Sequence, residues 1–314
     1  MVTEIMQEGN TLFLAKRPGN ELIFVVVPAG STIESQLLWL FGFDEQPDLK
    51  FTAQEYVGDN DATLDFAARF ILDELGIEFE DPNANNIEAI VERFGLVFPK
   101  TVDFSDLARL TLPEVDARDD ADQALLAWLN HEEAMFRQLE KKIVSERLRA
   151  GFVVAESVDV DGFLSFSLSV QNRRKSRMGL SFENHLSAVF RQHEIKFERG
   201  CVTERGNKPD FLFPAGRNYH DPLFPSEALT MLAAKSTCKD RWRQVLPEAD
   251  RLPQKHLITL EPAISVAQTA QMEESNLQLV VPLSIQSSYA DTQREWLMSL
   301  KGFLEVVSRR HIIN

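Results

Sequence analysis

LAAKSTCKDRWRQVLPEAD, residues 232–250, is the stretch on which the fold turns. With Leu229, Thr230 and Met231 before it, it opens as an apolar run of strand length. The run stops abruptly at Lys235, and a polar, basic tract follows. Residues 229–234 are therefore predicted to be a strongly apolar strand with a lysine at its end. Residues 240–252 are predicted to be helical, with Pro247 bending the helix or sitting in an adjusted turn.

Outward from this strand the elements alternate. Residues 211–213 form a short strand directly after Pro209-Asp210, and 256–260 and 277–282 form two more, with a helix over 265–275 between them. On the N-terminal side, residues 181–192 are an amphipathic helix whose apolar side is Phe182, Leu186, Val189 and Phe190. Strands alternating with helices predict an α/β architecture, a mixed α+β sheet with helices packed on it. A long helix over 122–150, broken near its middle, is expected to precede it, while 152–162 shows no clear pattern.

The first third reads as a smaller α+β domain. Residues 12–14 and 21–27 look like strands between the turn signals Pro18-Gly19 and Pro28-Ala29-Gly30. Ser31 and Glu34 have capping-box spacing at the start of a helix over 31–41. Further helices are expected over 61–75 and 87–94, with a polar turn at 79–86. The acidic, Pro-marked stretch 113–122 reads as a linker, which divides the chain into 1–115 and 122–314.

Composition bounds the possibilities. The 314 residues carry a net charge of −15, but the charge is segregated. Residues 1–130 hold 25 acidic and 8 basic side chains, whereas 171–260 hold 16 basic and 10 acidic. A polyanion responds to the surface facing it, so the second segment can attract nucleic acid despite the acidic whole. Chance segregation on solvated faces is the alternative. No segment is apolar over the roughly 20 residues that a membrane-spanning helix needs. Cys201 and Cys238 make neither a disulfide framework nor a zinc site, and no secretory signal is visible, which points to a cytoplasmic protein.

Three polar residues stand out on this scaffold: Asp210 before one strand, Lys235 at the end of the next, and Glu248 beyond it. Two carboxylates suit a hard cation such as Mg2+, which keeps several waters. A lysine beside them can orient an attacking water and offset negative charge at the reacting phosphate. Each has an ordinary explanation as well: a turn, a solvated ammonium and a surface acid. The order of the three, with basic residues flanking them, raises a nuclease beside these explanations without deciding between them. In the following tract, Lys239, Asp240, Arg241 and Arg243 offer groups that suit base edges, since lysine or arginine pairs with guanine and a carboxylate accepts from cytosine. Asp240 would equally cap a helix. The basic run Arg173, Arg174, Lys175, Arg177 suits phosphate contacts or a polar loop.

The segments NRRKSRMG, GNKPDFLFPAG followed by YHD, LAAKSTCKDRWRQVLPEAD, HLITL and LVVPLS resemble the catalytic C-terminal domain of EcoRII-like type II restriction endonucleases. The likeness runs from Asn172 to the C-terminus and is looser over 122–171. It implies a PD-(D/E)XK restriction-endonuclease-like core flanked by helices, acting as a homodimer on double-stranded DNA with Mg2+. It further implies that Asp210 and Glu248 bind the metal, that Lys235 is the catalytic lysine and that Glu183 is an additional acid. Lys239, Asp240 and Arg241 would read the outer C·G pairs of a CC…GG-type site. Arg243, Arg173, Arg174, Lys175 and Arg177 would support the DNA backbone. Cutting before the first cytosine, a five-base 5′ overhang, base flipping and a partner cytosine methyltransferase belong to the same implication. Trp128 is a candidate to stack on a flipped base, and is equally a core tryptophan. Tyr219 and His220 are expected to orient loops rather than to move protons. Residues 1–115 have no counterpart in the resemblance. They could bind a second DNA copy, extend recognition, stabilise a dimer or cover the basic cleft. A catalytically silent DNA-binding protein and a structure-reading repair nuclease are the rival functions.

Overall fold

The computed structural model describes residues 8–16, 21–43, 66–76, 87–154 and 157–312. The expected turn at 79–86 and the start of the helix expected at 61–75 lie outside these residues. Strands β1 (Thr11–Lys16) and β2 (Leu22–Val27) pair as an antiparallel hairpin, and α1 (Thr32–Leu40) follows. Ser31 Oγ accepts from Glu34 N at 3.3 Å, so the cap forms as its spacing predicts. The reciprocal arm differs, because the Glu34 carboxylate accepts from Gly30 N at 2.5 Å. Helices α2 (Phe66–Glu74), α3 (Ile87–Phe94) and α4 (Thr101–Leu110) are the next elements among the described residues.

Helix α5 (Ala121–Ala150) is unbroken, and Asp120 caps it by accepting from Gln123 N at 2.9 Å. The patternless segment 152–162 forms a small hairpin, β3 (Val153–Val154) with β4 (Ser157–Val158), and the start of a second long helix, α6 (Val160–Gln192). The remaining elements are β5 (Glu198–Arg199), β6 (Phe211–Phe213), α7 (Gly216–His220), β7 (Thr230–Lys235), β8 (Lys255–Thr259), α8 (Val266–Glu274), β9 (Leu277–Val280), α9 (Asp291–Arg294) and α10 (Leu300–Ile312).

Strands β5 to β9 form one five-stranded sheet in sequence order. The β5–β6 and β6–β7 pairs are antiparallel, and the β7–β8 and β8–β9 pairs are parallel. The mixed sheet expected from the sequence is therefore present. Successive residues of β6 and β7 are buried, which requires cover on both faces. Phe190 of α6 and Phe303 of α10 pack edge-on against Phe213, with ring centroids 5.2 and 5.6 Å away. Asp122, buried at the start of α5, ties the structure together: its carboxylate accepts from the backbone of Leu283, Leu300 and Lys301 at 2.9–3.0 Å. It thereby satisfies donors at the N-terminus of α10 that the helix itself cannot.

The stretch 113–122 is not a bare linker. Ala117 is fully buried, and Leu112 and Val115 pack on the main core. Helices α3 and α4 share a second core with α5 through Ile90, Phe104, Leu107, Met135, Phe136 and Leu139. Helix α1 docks on the loop after β8, where Gln36 Nε2 donates to Pro262 O at 3.1 Å, and on the helix that follows it, where Thr32 Oγ1 donates to Gln268 Oε1 at 3.1 Å. The N-terminal elements are thus built into the same packed body as the sheet. Cys201 and Cys238 are both free thiols. Among the described residues no helix is long and apolar enough to cross a membrane.

Candidate active site

The antiparallel β6–β7 pair sets Asp210 beside the end of β7. Phe211 faces Leu232, so Asp210, one residue earlier, reaches Ala234 and Lys235. Its Oδ2 accepts from Ala234 N at 2.7 Å and from Lys235 Nζ at 2.9 Å. The lysine and aspartate side chains are 23% and 17% exposed, shielded yet open to a ligand. A strand-end lysine held this way is not a freely solvated ammonium.

Glu248 reaches the same place by a different route from the one expected. No α-helix spans 240–252. A short 3-10 turn covers residues 239–244, and 3-10-type bonds continue through Val245 N to Trp242 O and Glu248 N to Val245 O, at 3.1 and 3.0 Å. Pro247 accounts for the difference. It lacks the N–H an α-helix would use and disfavours the helical conformation at Leu246. Glu248 Oε2 is buried and has no hydrogen-bond partner among the described residues. Burial pushes its carboxyl up to about 7, Lys235 works against that shift, and the charge of Asp210 adds to it. A buried, unpartnered carboxylate oxygen within electrostatic reach of a second carboxylate is a donor set that suits a hard divalent cation. Among the described residues no group of three or more His, Cys, Asp or Glu side chains forms a metal cage. A two-carboxylate site completed by waters and substrate oxygens is the arrangement that fits.

This environment carries a stability prediction. Between the ordinary carboxyl value of 4.5 and about 7, the folded protein keeps a proton on Glu248 that the unfolded chain has released. Stability therefore falls as pH rises through that window, and the full cost is present above 7. Glu248→Gln is expected to stabilise the metal-free protein at pH 8 by on the order of 1 kcal/mol, after allowance for solvent screening. It should also flatten the dependence of Tm on pH between 5 and 8. Thermal melts of both proteins in chelator test this, and an unchanged pH slope would contradict it.

Other site residues fare differently. The Glu183 carboxylate is held by Arg199 of β5, which faces Phe211 across the ladder, next to Asp210. Glu183 thus has its charge matched by Arg199, and among the described residues it forms no three-acid group with Asp210 and Glu248. Arg241 Nη2 donates to Thr237 O and Oγ1 at 2.7 and 2.8 Å, folded back on its own turn. Arg243 donates to Gln271 Oε1 at 2.8 Å and lies over the Trp242 ring. The side chains of Lys239 and Asp240 lie outside the described ones. The tract begins from a fixed point, since Cys238 N donates to the buried Glu261 carboxylate.

The basic run lies within α6, so the alternative of a polar loop does not hold. Arg177 is buried, pairing with Glu132 at 2.9 Å and with Glu133, and cannot reach a phosphate. Arg174 pairs with Glu140 of α5. Arg173 lies over the Phe98 ring, 4.8 Å from its centroid, and with Lys175 remains on the surface. Trp128 is 1% exposed, stacked on His185, and has no open face for a flipped base. Tyr219 is a loop anchor, donating to the Glu204 carboxylate at 2.6–2.7 Å while accepting from Arg251 N. His220 Nε2 lies 3.0 Å from Val202 O.

Sequence reasoning missed the loop at 203–207. Asn207 Nδ2 donates to Pro247 O at 2.7 Å, Thr203 Oγ1 accepts from Ala249 N at 3.4 Å, and Glu204 Oε2 accepts from Asp250 N at 3.2 Å. No signal in the sequence joins residues forty positions apart. Only the fold does.

A mixed five-stranded sheet with an acid–lysine pair across two neighbouring strands is the core of a restriction endonuclease fold. Two solved structures share it. Metal-depleted Ecl18kI in complex with uncleaved, modified DNA aligns with a TM-score of 0.58 at 17% identity, covering 75% of this chain and 86% of that one. The restriction endonuclease PspGI–substrate DNA complex aligns with a TM-score of 0.54 at 15% identity, covering 69% and 95%. Residues 136–304, more than half of the chain, match the family model described as EcoRII C terminal, and the chain belongs to that family. It is 45% identical over 186 residues to the type II restriction enzyme EcoRII of Escherichia coli. That alignment covers 59% of this chain and 45% of the relative, so the chain spans just under half the length of the curated protein it matches.

Proposed function

We propose that this protein is a type II restriction endonuclease of the PD-(D/E)XK kind, hydrolysing double-stranded DNA at a specific sequence with Mg2+. The observation that carries the proposal is the Lys235–Asp210 contact at 2.9 Å beside the buried, unpartnered carboxylate of Glu248. Family membership and the DNA in both solved relatives support the substrate class.

In this account water attacks phosphorus in line with the departing 3′ oxygen, which leaves 5′-phosphate and 3′-hydroxyl ends. Asp210 and Glu248 hold the cation. Lys235, fixed by Asp210, orients the water and offsets charge on the phosphate oxygens. Magnesium, when bound, supplies Lewis acidity and lowers the pKa of water. Glu183 steadies Arg199 at the rim of the site. Lys239, Asp240 and Arg241 read the outer C·G pairs of a CC…GG-type site, which requires Arg241 to leave Thr237 on binding. Arg243 and the exposed Arg173 and Lys175 meet the backbone.

The resemblance extends the proposal to a five-base 5′ overhang, base flipping by a residue other than Trp128, and a cytoplasmic role beside a protective cytosine methyltransferase. A two-fold target is most simply matched by a homodimer. Residues 122–314 would carry catalysis and 1–115 an accessory role. That is a division of labour, not of packing, since α3 and α4 share a core with α5.

Incubating unmethylated plasmid with the protein in Mg2+, Ca2+ or chelator tests the reading. Linear products in Mg2+ alone are expected. Binding without cleavage in every condition would favour a silent DNA-binding protein, and structure-dependent nicks a repair nuclease.

A further inference from the structure

We infer that Asn207 is a positioning residue for the cation site: it fixes the distance between Asp210 and Glu248 by holding the turn on which Glu248 stands. The inference rests on the proposed function, because it assigns these two acids to one cation.

Glu248 has no helix to carry it. It stands in a turn between Pro247 and Ala249, and Ala249 takes a positive φ of 50° that an L-residue adopts only under constraint. The loop at 203–207 supplies the constraint. It is closed on itself, with Thr203 N donating to Asn207 O at 2.8 Å and Asn207 N to Glu204 O at 3.1 Å. From this closed loop, contacts reach both sides of Glu248. Asn207 Nδ2 holds the carbonyl of the preceding residue at 2.7 Å. Thr203 Oγ1 and Glu204 Oε2 accept from the amides of the two following residues. The Tyr219 hydroxyl holds Glu204 in turn.

The same loop leads directly into the site's other acid. Asn207 is three residues before Asp210, and Gly200 N donates to Asp210 O at 3.3 Å from the strand side. One segment therefore bears one carboxylate and grips the backbone of the other. Pro247 has no N–H, so its carbonyl is the only backbone group through which it can be held. The Asn207 amide, the shortest of the three contacts to the turn, takes that carbonyl. Groups that orient metal-binding side chains without touching the ion alter affinity by about 10–100-fold when removed.

The test is Mn2+ binding to the full chain, followed by electron paramagnetic resonance, in wild type, Asn207→Ala, Thr203→Val and Glu248→Ala. Asn207→Ala and Thr203→Val are expected to bind Mn2+ about ten-fold more weakly than wild type, with Glu248→Ala weaker still. Melting temperature and DNA binding in chelator should stay near wild type. In cleavage assays the Mg2+ concentration for half-maximal rate should rise in Asn207→Ala, while the rate at saturating Mg2+ recovers, a split that general destabilisation would not produce. If Asn207→Ala does not fold, Thr203→Val decides. Wild-type Mn2+ affinity in these loop variants, with binding lost in Glu248→Ala, would overturn the role of the loop. Equal binding by wild type and Glu248→Ala would overturn the cation site itself, and the inference with it.

Discussion

Lys235→Ala is expected to lower the cleavage rate by at least 10²–10³-fold while leaving DNA affinity in Ca2+ within a few-fold of wild type. The size follows from what the ammonium does in this geometry. It ends β7 with its stem shielded and its Nζ 2.9 Å from Asp210 Oδ2. The aspartate is itself fixed by Ala234 N. The charge is therefore preorganised, and no reorganisation is needed as negative charge grows at phosphorus. Its contribution to binding is one charge among the many basic groups of the 171–260 segment, which is why affinity should barely move. Lys235→Arg should not rescue the rate, because a planar guanidinium cannot place a point charge at the same position. Initial rates and filter binding on one duplex measure both quantities. A Lys235→Ala rate within a few-fold of wild type would remove the acid–lysine pair from the chemistry.

The largest stability effect lies away from the site, in the seam between α5 and α6. Glu132 is fully buried and meets Arg177 at 2.9 Å and His185 Nε2 at 2.9 Å. Burial pushes its carboxyl up, but the hydrogen bond from His185 and the charge of Arg177 outweigh burial and hold it below its usual value. Burial keeps the His185 pKa low despite Glu132. The neutral tautomer follows from the partners: Arg109 Nη1, a donor only, lies 2.8 Å from Nδ1, so the proton is on Nε2 and points at Glu132. Glu132→Ala leaves a buried imidazole N–H without its acceptor and a buried guanidinium with Glu133 alone. A loss of about 3–5 kcal/mol is expected, which lowers Tm by roughly 5–8 °C in a protein of this size. The double variant Glu132→Leu with Arg177→Met should recover part of it, since it removes the buried guanidinium and leaves only the His185 N–H without an acceptor. Denaturant melts measure both variants. A Glu132→Ala loss below about 1 kcal/mol would mean that water replaces the missing carboxylate.

How far the sequence could be read follows from the range of the forces involved. The apolar run ending in Lys235 and the order of the strands are local patterns, and the sheet follows them. The Ser31 cap is local too, and it forms. The basic run at 173–177 was misleading because its helix is stabilised by partners on α5: Glu132 and Glu133 for Arg177, Glu140 for Arg174. An ion pair across two helices leaves no periodic trace, and these arginines look like a solvated strip until α5 is set beside them. Glu248 shows the same limit in reverse. The helix expected to carry it does not form, because Pro247 favours a turn, which the loop at 203–207 holds from forty positions away. Trp128 was ambiguous for a simpler reason: an aromatic ring suits a core and a binding pocket alike, and burial alone separates them.

The most direct test of the central claim is to digest unmethylated multi-site plasmid with the wild-type protein in Mg2+ and sequence the ends. The account predicts discrete fragments ending in 5′-phosphate and 3′-hydroxyl groups at one recurring CC…GG-type sequence, with five-base 5′ overhangs. Ends scattered without a common sequence, or intact plasmid from folded protein that binds it, would contradict the account.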